Sequence, residues 1–254
     1  MDPHPLLGRR EAIGTFLTAF VTAALVREAR GATVPGERRA AAWIDGQQDI
    51  AEALAQDRIT GLQWALEVER LAREVDLAEL MAVVRRSSLV PAGAASHSDP
   101  QKRYVRFLGA DGEPRRLAYG AALFDFAPGN VVTPHGHRHM VSAHMVVGGS
   151  LRVRNFDRLG EREGAMLIRP TRDYVARLGE VSTMCPERDN IHWFVPAGGP
   201  AATFDVIISG LDAGAPDYLI QTIDPIAARR EADGALLAPL IDFEESSRRY
   251  TAAL

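Results

Sequence analysis

Residues 129–157 read GNVVTPHGHRHMVSAHMVVGGSLRVRNFD. Short runs of Val, Met and Ala stop at the glycine pair Gly148-Gly149 and resume at Leu151. Apolar runs of strand length bounded by turn residues are the pattern of paired β-strands. Four of the chain's seven histidines, His135, His137, His139 and His144, fall inside this one stretch. Residues two apart on a strand project to the same face, so His135 and His137 aim together toward one interior. Imidazole is the commonest protein ligand for metals. His139 shares their parity but lies where the strand should end, which reads as a solvated or supporting side chain. His144 is read as facing the interior from the next strand, either as a pocket residue or as a hydrogen-bonded core histidine.

Working outward, the same short rhythm recurs downstream and upstream. YVRFL begins at Tyr104, ALFDFA at Ala122, MLIRP at Met166, HWFVP at His192 and FDVIISG at Phe204. Segments of this kind with Gly/Pro turns between them predict a mainly β domain, a sandwich or barrel. Ala-Asp-Gly-Glu at 110–113 reads as a hairpin-like turn. A further histidine, His192, opens one of these segments.

Before residue 91 the period changes. Ile50, Leu54, Ile59, Leu62, Leu66, Val68, Leu71, Val75, Leu80 and Val83 recur at spacings of three to four, which predicts helices over 45–90 whose apolar stripes pack on a core. Asp45 and Asp49 are candidate helix starts, and Asp76 a candidate N-cap before Leu77. Residues 91–100, rich in Pro, Gly, Ala and Ser, read as a crossing to the β region. From Ile226 the tail reads as helical or loose. The domain reading is 1–31 an export signal, 32–95 a helical region, 96–225 the barrel and 226–254 an extension.

Composition narrows the function classes. The chain has 254 residues, 46% hydrophobic and 24% charged, a balance that supports a packed core rather than disorder. A formal charge of −4 supplies no general basic field for nucleic acid. The basic residues are 28 Arg and one Lys, Lys102, a bias that reads as codon usage. The single cysteine, Cys185, rules out an intramolecular disulfide and a Cys-rich zinc site. It reads as a small buried hydrophobe.

The N-terminus carries Arg9-Arg10 before an uncharged stretch, residues 12–26. That stretch is shorter than the ~20 residues of a comfortable membrane span and suits the apolar core of an export signal. Paired arginines before a mildly apolar run resemble a twin-arginine signal, although Glu11 follows the pair and Arg27, Glu28 and Arg30 crowd the cleavage region. The resemblance implies export of a folded protein to the periplasm, with no stable membrane span in the mature form. The alternative is a buried N-terminal helix and a cytoplasmic protein.

Gly129, five residues, His135-x-His137, then a turn and a strand ending at Gly149 resembles the first motif of the cupin superfamily, and DNIHWFVP with His192 fills the place of its second. The carboxylate found in many cupins beyond three or four intervening residues after the second histidine is replaced by Val141 or Ser142. Met140, Gly149-Ser150-Leu151, Arg152, Arg154, Phe156-Asp157, the NIHWF of residues 190–194 and the FDV of 204–206 extend the likeness. Over residues 100–225 the chain resembles the plant cysteine oxidase and cysteamine dioxygenase type of thiol dioxygenase. The resemblance implies a cupin-type double-stranded β-helix, or jelly roll, with His135, His137 and His192 holding Fe(II). It implies a small thiol and dioxygen as the partners, and a sulfinate as the product.

The resemblance also suggests further site residues. Asp205 and His144 are read as catalytic groups beside the metal. Arg106, in a Tyr-x-Arg-x-Leu like that of cysteine dioxygenases, is read as a clamp for a substrate carboxylate. Tyr218 and Tyr104 are candidates for the tyrosine that related enzymes use, and a Cys185–tyrosine crosslink is not indicated. Two other readings keep the fold: a metalloenzyme acting on a small non-thiol acid, and an exported metal- or ligand-binding protein without turnover. The sequence does not fix the oligomeric state.

Overall fold

The structure, a computed structural model, describes residues 38–92, 99–215 and 219–252. The export-signal reading (1–31) and Tyr218 fall outside them. Three helices come first: α1 (Arg38–Ala55), α2 (Gly61–Glu74) and α3 (Leu77–Arg86). Eleven strands follow: β1 (Ser88–Pro91), β2 (Gln101–Arg106), β3 (Gly120–Phe126), β4 (Val132–Arg138), β5 (Met140–Gly148), β6 (Leu151–Arg162), β7 (Ala165–Ala176), β8 (Val181–Met184), β9 (Ile191–Pro196), β10 (Ala201–Ser209) and β11 (Leu219–Thr222). The described chain ends in β12 (Arg229–Arg230), β13 (Leu236–Pro239) and α4 (Phe243–Ala252). No helix among the described residues is long and apolar enough to cross a membrane.

The chain crosses repeatedly between two antiparallel sheets, with β1–β3, β6–β7 and β11–β13 each staying in one sheet. One has the order β1-β2-β3-β10-β5-β8, the other β11-β4-β9-β6-β7-β13-β12. The inner eight, 3-10-5-8 facing 4-9-6-7, form two interleaved Greek keys, which is the jelly-roll arrangement. The protein is therefore a mainly β jelly roll, a double-stranded β-helix, with an N-terminal helical region.

β5 shows why the layers stack this way. Its residues Val141, Ala143 and Met145 pack with Phe204, Val206 and Ile208 of β10 against Trp43, Trp64 and Leu80 of the helices. Trp43 meets Phe204 edge-on at 5.6 Å. The alternate residues Ser142, His144 and Val146 are also buried, on the opposite, interior face. Both faces of β5 are thus covered, and its sequence is apolar apart from the interior Ser142 and His144. Removing the fully buried Trp64 side chain would cost about 3–5 kcal/mol.

Local chemistry sets the boundaries. The hydroxyl of Thr60 accepts from the Gln63 N–H while the Gln63 side chain accepts from the Thr60 N–H, a capping box that starts α2. Asp76 caps α3 through the Glu79 N–H. Asp45 and Asp49 start no helix: both lie inside α1, which begins seven residues before Asp45, and Asp45 pairs with Arg115 at 2.6 Å. Residues 88–91, expected to end a helix and begin a crossing, form the edge strand β1, because Leu89 and Val90 pair with Val105 and Tyr104. The sheet also runs past residue 225. β13 pairs with β7, and α4 sets Tyr250 on Trp193 at 4.9 Å. At the β5–β6 turn, Gly149 has φ +61 and a Cβ there would lie 2.2 Å from the Pro200 carbonyl oxygen, so no other residue fits.

Candidate metal centre

β4 and β9 pair antiparallel with His135 opposite His192. With His137 two residues along β4, three imidazoles face one interior. Their candidate ligand nitrogens lie within 4.8 Å of one another. His135 and His137 stack with centroids 4.7 Å apart, while His192 stands edge-on to His135 at 4.4 Å. Gly136 between the pair is fixed by packing: a Cβ there would meet Arg158 Nη2 at 2.8 Å and Ile191 Cγ1 at 3.0 Å.

Hydrogen bonding assigns the nitrogens. His135 Nδ1–H donates to the Thr133 carbonyl at 2.7 Å, which leaves its Nε2 lone pair pointing inward and holds the ring, as outer partners of metal-binding histidines do. That Nε2 lies 3.1 Å from His192 Nε2. Two nitrogens bound to one ion at about 2.0–2.1 Å sit roughly 3 Å apart, so the spacing fits a shared divalent cation. Both nitrogens of His137, and Nδ1 of His192, are buried without any hydrogen-bond partner. Buried polar atoms are rarely left so; a cation held by one nitrogen of each ring would satisfy one of the two on His137. Burial drives all three imidazoles toward the neutral, ligating form: His135 is lowered to about 4, and His137 and His192 lie well below the ordinary histidine value.

His144, on β5, stands 4.9 Å from the His192 ring but is not part of the trio. Its Nδ1–H donates to Asp205 Oδ2 at 2.7 Å, and its Nε2 faces the Ser142 hydroxyl at 3.0 Å. Both of its nitrogens are thus committed. Asp205 lies directly across β10 from His144 and is buried, with Oδ1 unpartnered. Among the described residues, no Asp, Glu or Cys joins the histidine trio. Ser142, at one of the two positions where the expected carboxylate is absent, instead ends a buried Ser142–His144–Asp205 chain whose His144 ring lies 4.9 Å from that of His192.

The remaining sequence candidates are placed as follows. Arg106 is exposed at the end of β2, opposite Ser88 of the edge strand. His139 has φ +60 at the β4–β5 junction and faces Asp212 at 3.4 Å. Cys185 is buried in the helix-facing core, and burial pushes its thiol up to about 12, far from a reactive thiolate. Tyr104 is 44% exposed on the same face of β2 as Lys102, whose Nζ lies 4.6 Å over its ring. Lys102 was visible as the lone lysine, but only strand register shows which way it faces.

No family model and no curated protein matches the chain. Among solved structures, it is similar to an uncharacterised double-stranded β-helix protein of Klebsiella pneumoniae (13% identity, TM-score 0.32), over 50% of this chain and 88% of that one. It is similar to KdgF from Halomonas sp. (15%, TM-score 0.32), over 48% of this chain and 86% of that one. It is also similar to an oxalate oxidase (21%, TM-score 0.33), over 46% of this chain and 54% of that one. The strand order above, rather than these partial likenesses, defines the architecture. Fold and site together make this a jelly-roll protein with a three-histidine group suited to a divalent metal.

Proposed function

We propose that the chain is an Fe(II)-dependent thiol dioxygenase that converts a small thiol to its sulfinate. The observation that carries this reading is a trio of neutral imidazoles with inward lone pairs and no carboxylate among them. A carboxylate ligand would cancel part of a dication's charge. Neutral ligands leave that charge available for an anionic sulfur, and two-histidine, one-carboxylate sites differ on this point. The balance is RSH + O2 → RSO2⁻ + H⁺, with sulfur oxidised and dioxygen reduced. Bound iron would supply the activation of dioxygen and the lowering of the thiol pKa.

The chain's own residues provide orientation and dryness. Thr133 fixes the His135 ring. Phe194 lies against His192 at 4.6 Å and against His144 at 5.0 Å, which closes that side of the site to water. Asp205 holds the proton on His144 Nδ1, and the Ser142 hydroxyl is aimed at Nε2. This buried network fixes the His144 ring beside His192. The paired arginines at residues 9–10 support export of the folded enzyme, and the mass of the mature protein from its host tests that part.

The test is oxygen uptake by anaerobically purified, Fe(II)-loaded protein against a panel of thiols, with ¹⁸O2 as the gas. The reading requires thiol-dependent uptake and a sulfinate carrying two labelled oxygens. Bound iron with no thiol-dependent uptake would favour a metalloenzyme for a non-thiol acid, and failure to take up any metal would favour a non-catalytic protein.

A further inference from the structure

We propose that Lys102 binds a substrate carboxylate, which makes the substrate a small mercapto acid rather than an amine thiol; this rests on the thiol reading above. Four observations converge on the residue. It is the one lysine in a chain that uses arginine at its 28 other basic positions. Strand register puts it on the interior side of β2: Lys102 pairs with Phe124 of β3, and Phe124 packs against the inner cluster of Phe126, Val153 and Phe194. Its ammonium lies over two rings of that face, 4.6 Å from the Tyr104 centroid and 5.3 Å from that of Phe124. Among the described residues, no carboxylate pairs with it.

The charges around the site make Lys102 the natural anion partner. Phe124, under its ammonium, packs in one cluster with Phe194, and Phe194 lies against the His192 ring at 4.6 Å. Arg158, a cation next to the trio, is already engaged: it donates to the His137 carbonyl oxygen and faces Glu161 at 3.9 Å. Arg103, next to Lys102 and on the opposite face of the strand, is paired with Asp125 at 2.6 Å. Asp205, the carboxylate beside the trio, is committed to His144. Three neutral imidazoles holding a dication, plus one unpaired ammonium, are complemented by a ligand with two negative groups, a thiolate and a carboxylate. A compact ammonium resting on aromatic faces keeps its charge while remaining free to turn toward an oxyanion.

The experiment compares wild type with Lys102→Met, which keeps the stem on the rings and removes the charge, and with Lys102→Arg, which restores a cation. Calorimetric binding to Zn-loaded protein, which does not turn over, is measured with 3-mercaptopropionate and with cysteamine, and each variant's melting temperature checks folding. The expected result is at least tenfold tighter binding of 3-mercaptopropionate than of cysteamine by wild type. Lys102→Met should lose about 10–100-fold for the acid and nothing for the amine, and Lys102→Arg should recover part of the loss. Equal binding of the acid by wild type and Lys102→Met, or a wild-type preference for cysteamine, would overturn the assignment. Failure of the thiol reading shows separately, as absence of sulfinate from every thiol on the Fe(II)-loaded protein, and the binding comparison then decides Lys102 by itself.

Discussion

Two walls of one barrel hold four buried or half-buried histidines, and their surroundings differ. On β4 and β9, the Nε2 atoms of His135 and His192 face only each other, at 3.1 Å, and both nitrogens of His137 have no partner. On β5, His144 is also interior, yet both its nitrogens are occupied, one by Asp205 and one by Ser142. Ring contact alone does not separate the two groups, since His144 and His135 both touch His192 edge-on. Hydrogen-bond commitment does: an imidazole with a spare inward lone pair is available to a metal, and one held at both ends is not.

Acid should act most strongly on this contrast. The trio is buried neutral, with His135 at about 4 and the other two well below the ordinary value. In the unfolded chain each titrates near 6.5, so below that pH the unfolded state takes up protons that the folded state refuses. Metal-free protein should therefore hold full stability above about pH 6.5. It should lose up to about 1.4 kcal/mol per pH unit for each histidine as the pH falls, and His135's share should level off near pH 4. Denaturant melts from pH 7.5 to 4.5 measure this, and replacing any one of the trio by a neutral residue should shallow the slope.

Asp205→Ala attacks the other wall. It leaves the buried His144 Nδ1–H without its charged acceptor, a loss of about 1.5–3 kcal/mol, read as a lower melting temperature. Metal stoichiometry should stay near that of wild type, because Asp205 touches no member of the trio. Ser142→Ala should be milder, about 1 kcal/mol, and sharpens the comparison by freeing His144 Nε2. If His144 is kept out of the metal site only by its hydrogen bonds, this variant should change the metal's absorption or EPR spectrum. If strand position also keeps it out, the spectrum stays the same. At the small end, Thr60→Ala, far from both walls, should cost about 1 kcal/mol through loss of the helix cap, with no effect on metal content.

Much of this was legible in the sequence, for physical reasons. The two-residue spacing of His135 and His137 fixes their shared face on any strand, and short apolar segments between Gly/Pro turns specify a β sandwich or barrel. The helical period before residue 87 is equally plain, and Asp76 caps where its position suggested. What stayed hidden depends on register or on distant partners. Asp205 and His144 lie 61 residues apart and meet only because β10 pairs with β5 in that register. Lys102 shows its direction only through Phe124, and the composition alone made it look like an accident of codon usage. β13 is a four-residue strand whose apolar residues look like those of a loose tail until β7 supplies an edge to complete. The Thr60-x-x-Gln63 spacing, by contrast, is a readable capping-box signal for the start of α2.

The most direct test of the central claim is metal content in five proteins: wild type and the single variants His135→Ala, His137→Ala, His192→Ala and His144→Ala, each loaded anaerobically with Fe(II) and desalted. The account predicts about one ion per chain in wild type and in His144→Ala, and less than a tenth of that in the other three. Retention of metal by any of those three, or its loss from His144→Ala with the fold intact, would contradict it.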